Sequence, residues 1–309
     1  MQTKKIYLMG FLFLSLAAGS ENLFAVEKIK IVTTTSTFAS ITQAIAGEKA
    51  EIYYVASSKR DIHFISPTPK DVLKLKKANV FIHGGLDLET WRGPLIDASG
   101  RHDFMIPDGR AIDVSQGIPL LEIPTSLSRA QGDIHAFGNP HYWLDPANGK
   151  IIARNIAEGL GILYPEDAEF FRKNAESFSA SLDQEMEEWK RRMLPFQGKP
   201  VITYHNSWPY FINRFGLVVA GYLEPKPGIP PTPKHIQELV RIMKEKNVPI
   251  VIKEAFQENK TSQKLAKETQ AAVLDLVTSP EANKQVPDYF SMFDYNIRQF
   301  ESISKTPKG

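Results

Sequence analysis

No cysteine occurs among the 309 residues. That excludes a disulfide framework, a thiol nucleophile and thiolate metal ligands. Any metal site must then be built from histidine, carboxylates, carbonyls or water. Net charge is scarce too, since 37 Lys and Arg against 35 Asp and Glu leave +2. A nucleic-acid partner would require a clustered basic surface and is not expected. No apolar run reaches the length needed to cross roughly 30 Å of hydrocarbon. The catalytic signatures His-Glu-x-x-His and Gly-x-Ser-x-Gly are also missing.

What is present supports a large fold. Apolar residues make up 42% and aromatics 10%, ample for two cores, and the length favours two lobes over one. The N-terminus has the form of an export signal spanning residues 1–25. Lys4 and Lys5 precede an apolar stretch from Ile6 to Ala18, and the small Ala25 closes the segment. A short membrane anchor is the competing reading, but the stretch is too short to span a bilayer. Without a cysteine after it, a lipoprotein anchor is excluded. The mature chain is expected to be soluble and periplasmic.

From Ile29 onward, short β-branched runs alternate with helical patterns. Strands are expected at Ile29–Thr34, Glu51–Ala56 and Val80–His83, with helices at Ala39–Ala46, Asp71–Ala78 and Leu88–Ser99. Ser115 to Gly138 carries Pro119, Pro124 and three glycines with little periodicity, and reads as a long surface loop. Asp145-Pro146 then opens a helix, Asp as N-cap and Pro in the first turn. A second helical stretch runs from about Glu166 to Leu194. After Pro195 the alternation resumes, with strands at Val201–Tyr204, Leu217–Gly221, Val248–Lys253 and Ala272–Val277. The expected fold class is α/β: two lobes, each a mostly parallel sheet flanked by helices, joined by a long connecting helix. The expected boundaries are an N-terminal lobe at 26–147, a helical connector at 148–195 and a C-terminal lobe at 196–309. Pro67-Thr68-Pro69-Lys70 recurs as Pro231-Thr232-Pro233-Lys234, each leading through a helix to Asn-Val and an apolar strand. That repetition suggests duplicated lobes.

Seven histidines are present, and three occupy loops just ahead of helices. His63 lies in Asp61-Ile62-His63 before Pro67-Thr68-Pro69. His141 lies in Asn139-Pro140-His141-Tyr142-Trp143-Leu144-Asp145-Pro146. His205 follows the strand Val201–Tyr204. In open α/β sheets such loops gather at the carboxyl edge, where ligands bind. Imidazole nitrogen binds Zn²⁺ at about 2.0–2.1 Å. Two of these histidines fall in the first lobe and one in the second, so an ion between them could stabilise a closed arrangement. Each histidine alone is more simply a hydrogen-bonded structural residue.

These motifs together resemble the ABC-transporter solute-binding proteins for zinc and manganese, over essentially the whole mature chain. Asp61-x-His63 with Pro-Thr-Pro looks like that family's first ligand motif. Asn139-Pro-His-x-Trp-Leu-Asp-Pro146 looks like its second and is the most specific signal. Tyr204-His205 followed by an aromatic helix and Phe215-Gly216-Leu217 looks like its third. Gly84-Gly85-Leu86-Asp87-Leu88-Glu89-Thr90-Trp91 also looks familial. The resemblance implies an ion held between two lobes with limited motion, Zn²⁺ with Mn²⁺ possible, and delivery to a membrane permease by a monomer. It also implies a fourth ligand, and there this chain departs. Most relatives place an Asp in a Leu-Asp-Pro-like turn after the last strand, where this chain reads Leu276-Val277-Thr278-Ser279-Pro280. Asp275 is displaced into the strand, and Glu254, after Val248–Lys253, is the favoured candidate; water is a third option. Without a ligand role, Glu254 would orient a histidine and Asp275 would face outward. His135 reads as an exposed loop residue, with assistance to capture as the alternative. His83, His102 and His235 lack supporting context, and Trp91, Trp143 and Trp208 read as core aromatics near the site. The rival function is a secreted zinc-dependent hydrolase with three histidines and a carboxylate base.

Overall fold

The computed structural model describes residues 27–107, 109–125, 135–226 and 228–304. The expected export signal and the middle of the long loop lie outside the described residues. Two four-stranded parallel sheets dominate. The first contains β1 (Ile29–Thr35), β2 (Ala50–Ala56), β3 (Val80–His83) and β4 (Ala111–Asp113), in the order β2-β1-β3-β4. Between them run α1 (Ser36–Ala46), α2 (Pro69–Lys76) and α3 (Arg92–Ser99). The bridging helices α4 (Pro146–Leu163) and α5 (Ala168–Met193) follow. The second sheet contains β5 (Pro200–Thr203), β6 (Val218–Tyr222), β7 (Ile250–Glu254) and β8 (Ala272–Leu276). Its helices are α6 (Pro209–Phe215), α7 (Pro233–Glu245), α8 (Lys260–Thr269) and the closing α9 (Tyr289–Ser304). Its order, β6-β5-β7-β8, repeats that of the first sheet.

In both sheets the chain steps to one side of the first strand and then crosses to the other. That reversal opens a crevice at the carboxyl ends of the two central strands, β1 and β3 in one sheet, β5 and β7 in the other. β3 and β7 are buried along their whole length, as strands covered on both faces must be. The repeated Pro-Thr-Pro-Lys segments cap equivalent helices. Thr68 Oγ1 accepts from the Asp71 amide and Asp71 accepts back from the Thr68 amide, a reciprocal capping box. Thr232 Oγ1 accepts from the His235 amide at 3.2 Å.

α5 buries Phe171, Ala175, Phe178, Leu182, Met186, Trp189 and Met193, a stripe at three- and four-residue spacing. α9 closes over it, with Trp189 and Phe293 rings 5.0 Å apart and Arg192 bonded to both Asp294 and Glu301. Among the described residues no helix is long and apolar enough to cross a membrane.

Two local expectations change. The helix expected from Leu88 begins at Arg92, because Gly85, Leu86 and Asp87 all have positive φ (64°, 53° and 56°) and form a left-handed turn. β4 was not anticipated, since three residues carry too little periodicity to register.

The two sheets are tied together by polar contacts. Trp143 Nε1 donates to Thr278 O at 2.7 Å, Tyr289 Oη to Trp143 O at 2.6 Å and Ser36 Oγ to Pro280 O at 2.8 Å. Arg214 on α6 grips both carboxylate oxygens of Asp145 at 2.7 Å, while Asp145 also caps α4 through the Ala147 amide. Asp145→Ala should therefore destabilise the metal-free protein by about 2–4 kcal/mol, roughly 1 from the cap and the rest from the orphaned guanidinium. Urea denaturation measures it, and a loss below about 1 kcal/mol would place this joint among ordinary surface contacts.

Candidate metal centre

His63, His141 and His205 come together. Each offers one ring nitrogen, and these atoms lie within 4.8 Å of one another. His63 sits in a one-turn helix whose first amide donors are met by Asp61, which accepts from the His63 amide at 2.9 Å. Trp91 Nε1 secures the same turn by donating to Ile62 O at 2.8 Å. His141 opens the turn leading to the Asp145 cap and is 3% exposed. His205 stands two residues beyond β5, at the crevice of the second sheet, 6% exposed.

The decisive feature is how each ring is held. His63 Nδ1 donates to Leu88 O at 3.1 Å. His141 Nδ1 donates to Asn139 Oδ1 at 3.0 Å, an oxygen that also accepts the His141 amide. The Asn139 orientation is settled by its other end, which donates to Asn206 O and Glu122 Oε2. His205 Nδ1 donates to Glu224 Oε2 at 2.7 Å. A carbonyl, an amide oxygen and a carboxylate each fix the proton on Nδ1, so the Nε2 atoms carry the lone pairs. The His63 and His141 Nε2 atoms are 3.1 Å apart. Zn–N bonds of about 2.0–2.1 Å in a tetrahedron place ligand nitrogens about 3.3–3.4 Å apart. Two lone pairs at this spacing repel in the neutral state, and a cation between them relieves the repulsion.

Burial and neighbouring histidines hold the His141 imidazole well below its ordinary value of 6.5. His205 behaves oppositely. Burial pulls it down, but the Glu224 hydrogen bond and the Glu254, Glu224 and Asp61 charges outweigh that and raise it. The site is thus buried, keeps His141 neutral, and sets carboxylates beside His205 that favour a cation.

His135 is not the solitary exposed loop residue anticipated. It is half-buried, its ring centroid 4.8 Å from that of His63 and 6.1 Å from that of His141, and burial lowers its pKa to about 3. A turn closed by the Gly138 amide onto His135 O fixes its backbone. Its nitrogens are not part of the mutually close set.

The two carboxylate candidates separate. Asp275 is half-exposed on β8, paired with Lys253 Nζ at 2.8 Å and outside the mutually close set of histidine nitrogens. Glu254 is fully buried at the carboxyl end of β7. Its Oε1 accepts from Trp208 Nε1 at 3.0 Å, and its Oε2 has no hydrogen-bond partner among the described residues. Burial raises its pKa. Its oxygens do not join the set lying within 4.8 Å, so it stands beside the three nitrogens and not between them. All three tryptophans near the site are buried and use their indole N–H to hold loops, as core residues rather than cation platforms. His83 pairs with Arg92, His235 bonds Tyr222 O, and His102 lies exposed near Asp97.

The sequence model of the family described as zinc-uptake complex component A, periplasmic, matches residues 31–303. The chain belongs to that family. It is similar to the manganese ABC transporter substrate-binding lipoprotein PsaA of Streptococcus anginosus, at 27% identity over 98% of this chain and all of that protein. It is also similar to the iron-binding protein YfeA of Yersinia pestis, at 28% identity over 88% of this chain and 85% of that protein. Among solved structures, a zinc-bound deletion variant of ZnuA superposes with a TM-score of 0.75 at 25% identity, covering 89% of this chain and 97% of that one. The zinc-uptake family and its metal-transport relatives agree with the family resemblance carried by the three histidine motifs.

Glu224, Asn139, Leu88 and Glu122 were not singled out by sequence reasoning. Glu224 lies two residues past β6, at the carboxyl edge, and that position was a usable signal. Asn139 sits inside the most specific motif, two residues before its histidine, the spacing at which an Asn side chain reaches back to the chain.

Proposed function

We propose that this protein captures a divalent transition metal ion, zinc in preference to manganese, and hands it to the membrane permease of an ABC importer. One observation carries the reading: three imidazoles from separate loops, each with Nδ1 committed to an acceptor, turn their other nitrogens to one point. Relatives named for manganese, iron and zinc leave the metal open, and the donor set supports zinc. Three nitrogens suit Zn²⁺, whereas Mn²⁺ favours more carboxylate oxygen. His63, His141 and His205 are the proposed ligands. Glu254 supplies a fourth donor after a small shift, because its buried Oε2 lacks a partner.

The proposed organisation is a cleaved export signal at 1–25, a lobe at 26–147, a helical connector at 148–195 and a second lobe at 196–309. The protein would act in the periplasm as a monomer. Its PsaA relatives are named lipoproteins. The hydrolase reading draws no support from any of these relatives, and a binding protein without catalysis is the reading we adopt.

Native mass spectrometry with elemental analysis of the untagged mature protein tests the proposal. One zinc per chain is expected; a metal-free protein that gains no thermal stability on adding zinc would sink it. The partner of His205 gives a finer test. Glu224→Gln keeps a hydrogen-bond acceptor but removes the charge, and should weaken zinc binding by about 10–100-fold. Competition with a chelator of known affinity measures this, and a change below about threefold would mean the carboxylate does not tune its histidine.

A further inference from the structure

Glu122 lies in the loop between β4 and α4, outside every ligand motif. Its Oε2 accepts from Asn139 Nδ2 at 3.0 Å and from Asn206 Nδ2 at 2.8 Å. Tyr222, at the end of β6, lies close enough for the Glu122 charge to help burial push its hydroxyl pKa up to about 12. Asn139 belongs to the first lobe and holds His141 through its Oδ1. Asn206 belongs to the second lobe and follows His205 directly. A single carboxylate oxygen therefore joins the turn that carries one proposed ligand to the turn that carries another, across the two lobes. The backbone reinforces the arrangement. Glu122 has φ 55°, a left-handed conformation that a side-chain-bearing residue holds only where its surroundings impose it. The neighbouring Leu121 amide donates to Tyr210 Oη, and Leu121 O accepts from the Asn139 amide. The strained position is thus fixed from both lobes.

We propose that Glu122 is a positioning residue that sets the residence time of the bound metal. The inference rests on the metal-binding function proposed above. An ion gripped by histidines of both lobes leaves only when the His141 and His205 turns separate, and that separation breaks the Asn206 bond to Glu122 together with the direct Asn139–Asn206 contact. Once the turns have parted, the encounter with an ion makes no use of those bonds. Loss of Glu122 should therefore act on release and leave uptake nearly unchanged, the usual division among variants of one interface.

The test uses the full mature protein loaded with zinc and mixed in stopped flow with excess chelator. Glu122→Leu should release zinc at least about tenfold faster, with uptake within about threefold of the parent. Glu122→Gln should stay within about threefold on both rates, because its amide oxygen still accepts both asparagine N–H groups. Release from Glu122→Leu within threefold of the parent, or equal acceleration in Glu122→Gln, overturns the proposal. If Glu122→Leu does not fold, Asn206→Ala cuts the same joint from the other lobe and must show the same acceleration; unchanged release there overturns it equally. Hydrogen exchange in the metal-free protein separates the two readings. The Leu121 and Asn139 amides should exchange faster in Glu122→Leu whether or not metal binds. A parent that takes up no zinc sinks the metal-binding function, whereas unaltered exchange in the variant sinks the joint.

Discussion

Replacing His141 with alanine should weaken zinc binding by about two to three orders of magnitude and leave the fold assembled. Structural zinc sites bind with apparent energies of about 10–16 kcal/mol near neutral pH, so one of four donors accounts for roughly 2.5–4 kcal/mol. At about 1.4 kcal/mol per factor of ten, that is roughly a hundred- to thousandfold. His141 is the informative choice because both of its ring nitrogens have defined partners, Asn139 on one side and the His63 imidazole on the other. Its loss opens a small buried space and frees one acceptor on Asn139, which costs metal-free stability about 1–3 kcal/mol. The helices and both sheets are held elsewhere, by the α5 stripe and the joints at Asp145 and Trp143. Far-ultraviolet dichroism should be unchanged while chelator competition reports the weaker site. An affinity within tenfold of the parent would remove His141 from the ligand set, and with it the reading that relies on three converging nitrogens.

Much of the fold was legible because its elements are local. β3 reads Val-Phe-Ile-His between turn signals and is a buried strand at those residues. The two Pro-Thr-Pro-Lys segments announce caps that the structure repeats at Thr68 and Thr232. Asp145-Pro146 marks the start of α4 for the same physical reason. The histidines could be found because each sits between a strand-like run and a helix start, where chain topology puts ligands. Their partners could not be found this way. Glu224 meets His205 only because β6 lies beside β5, which is a fact of sheet order and not of local pattern. Leu88 contributes a backbone oxygen, which no side-chain identity records. His135 looks like a solvent-exposed residue in a Gly-rich loop, and only its ring contact with His63 shows otherwise. The separation of Glu254 from Asp275 likewise needed three dimensions. Both end up near Lys253, one buried and one exposed, through a parallel register that pairs Lys253 with Asp275 and Glu254 with Leu276.

Zinc binding should weaken on acidification from an onset above pH 6.5, and His205 is the residue responsible. A protonated imidazole cannot coordinate, so each ligand that titrates costs about tenfold in affinity per pH unit below its pKa. The sign follows from the two buried rings. Burial and neighbouring imidazoles hold His141 well below 6.5, so it stays neutral and available across the mildly acidic range. His205 is raised above 6.5, since the Glu224 hydrogen bond and the nearby carboxylate charges overcome its burial. Protons therefore compete with the metal at His205 first, and its loss sets the upper edge of the pH window. Glu224→Gln supplies an internal control with two opposite effects. Removing the carboxylate lowers affinity at pH 8, because His205 becomes a poorer donor, yet shifts the acid onset to lower pH, because His205 then holds its proton less tightly. Titrations of both proteins between pH 5 and 8 would show the curves converging towards the acid end. Parallel curves, or an affinity that stays flat down to pH 5, would mean that His205 does not ligate the ion.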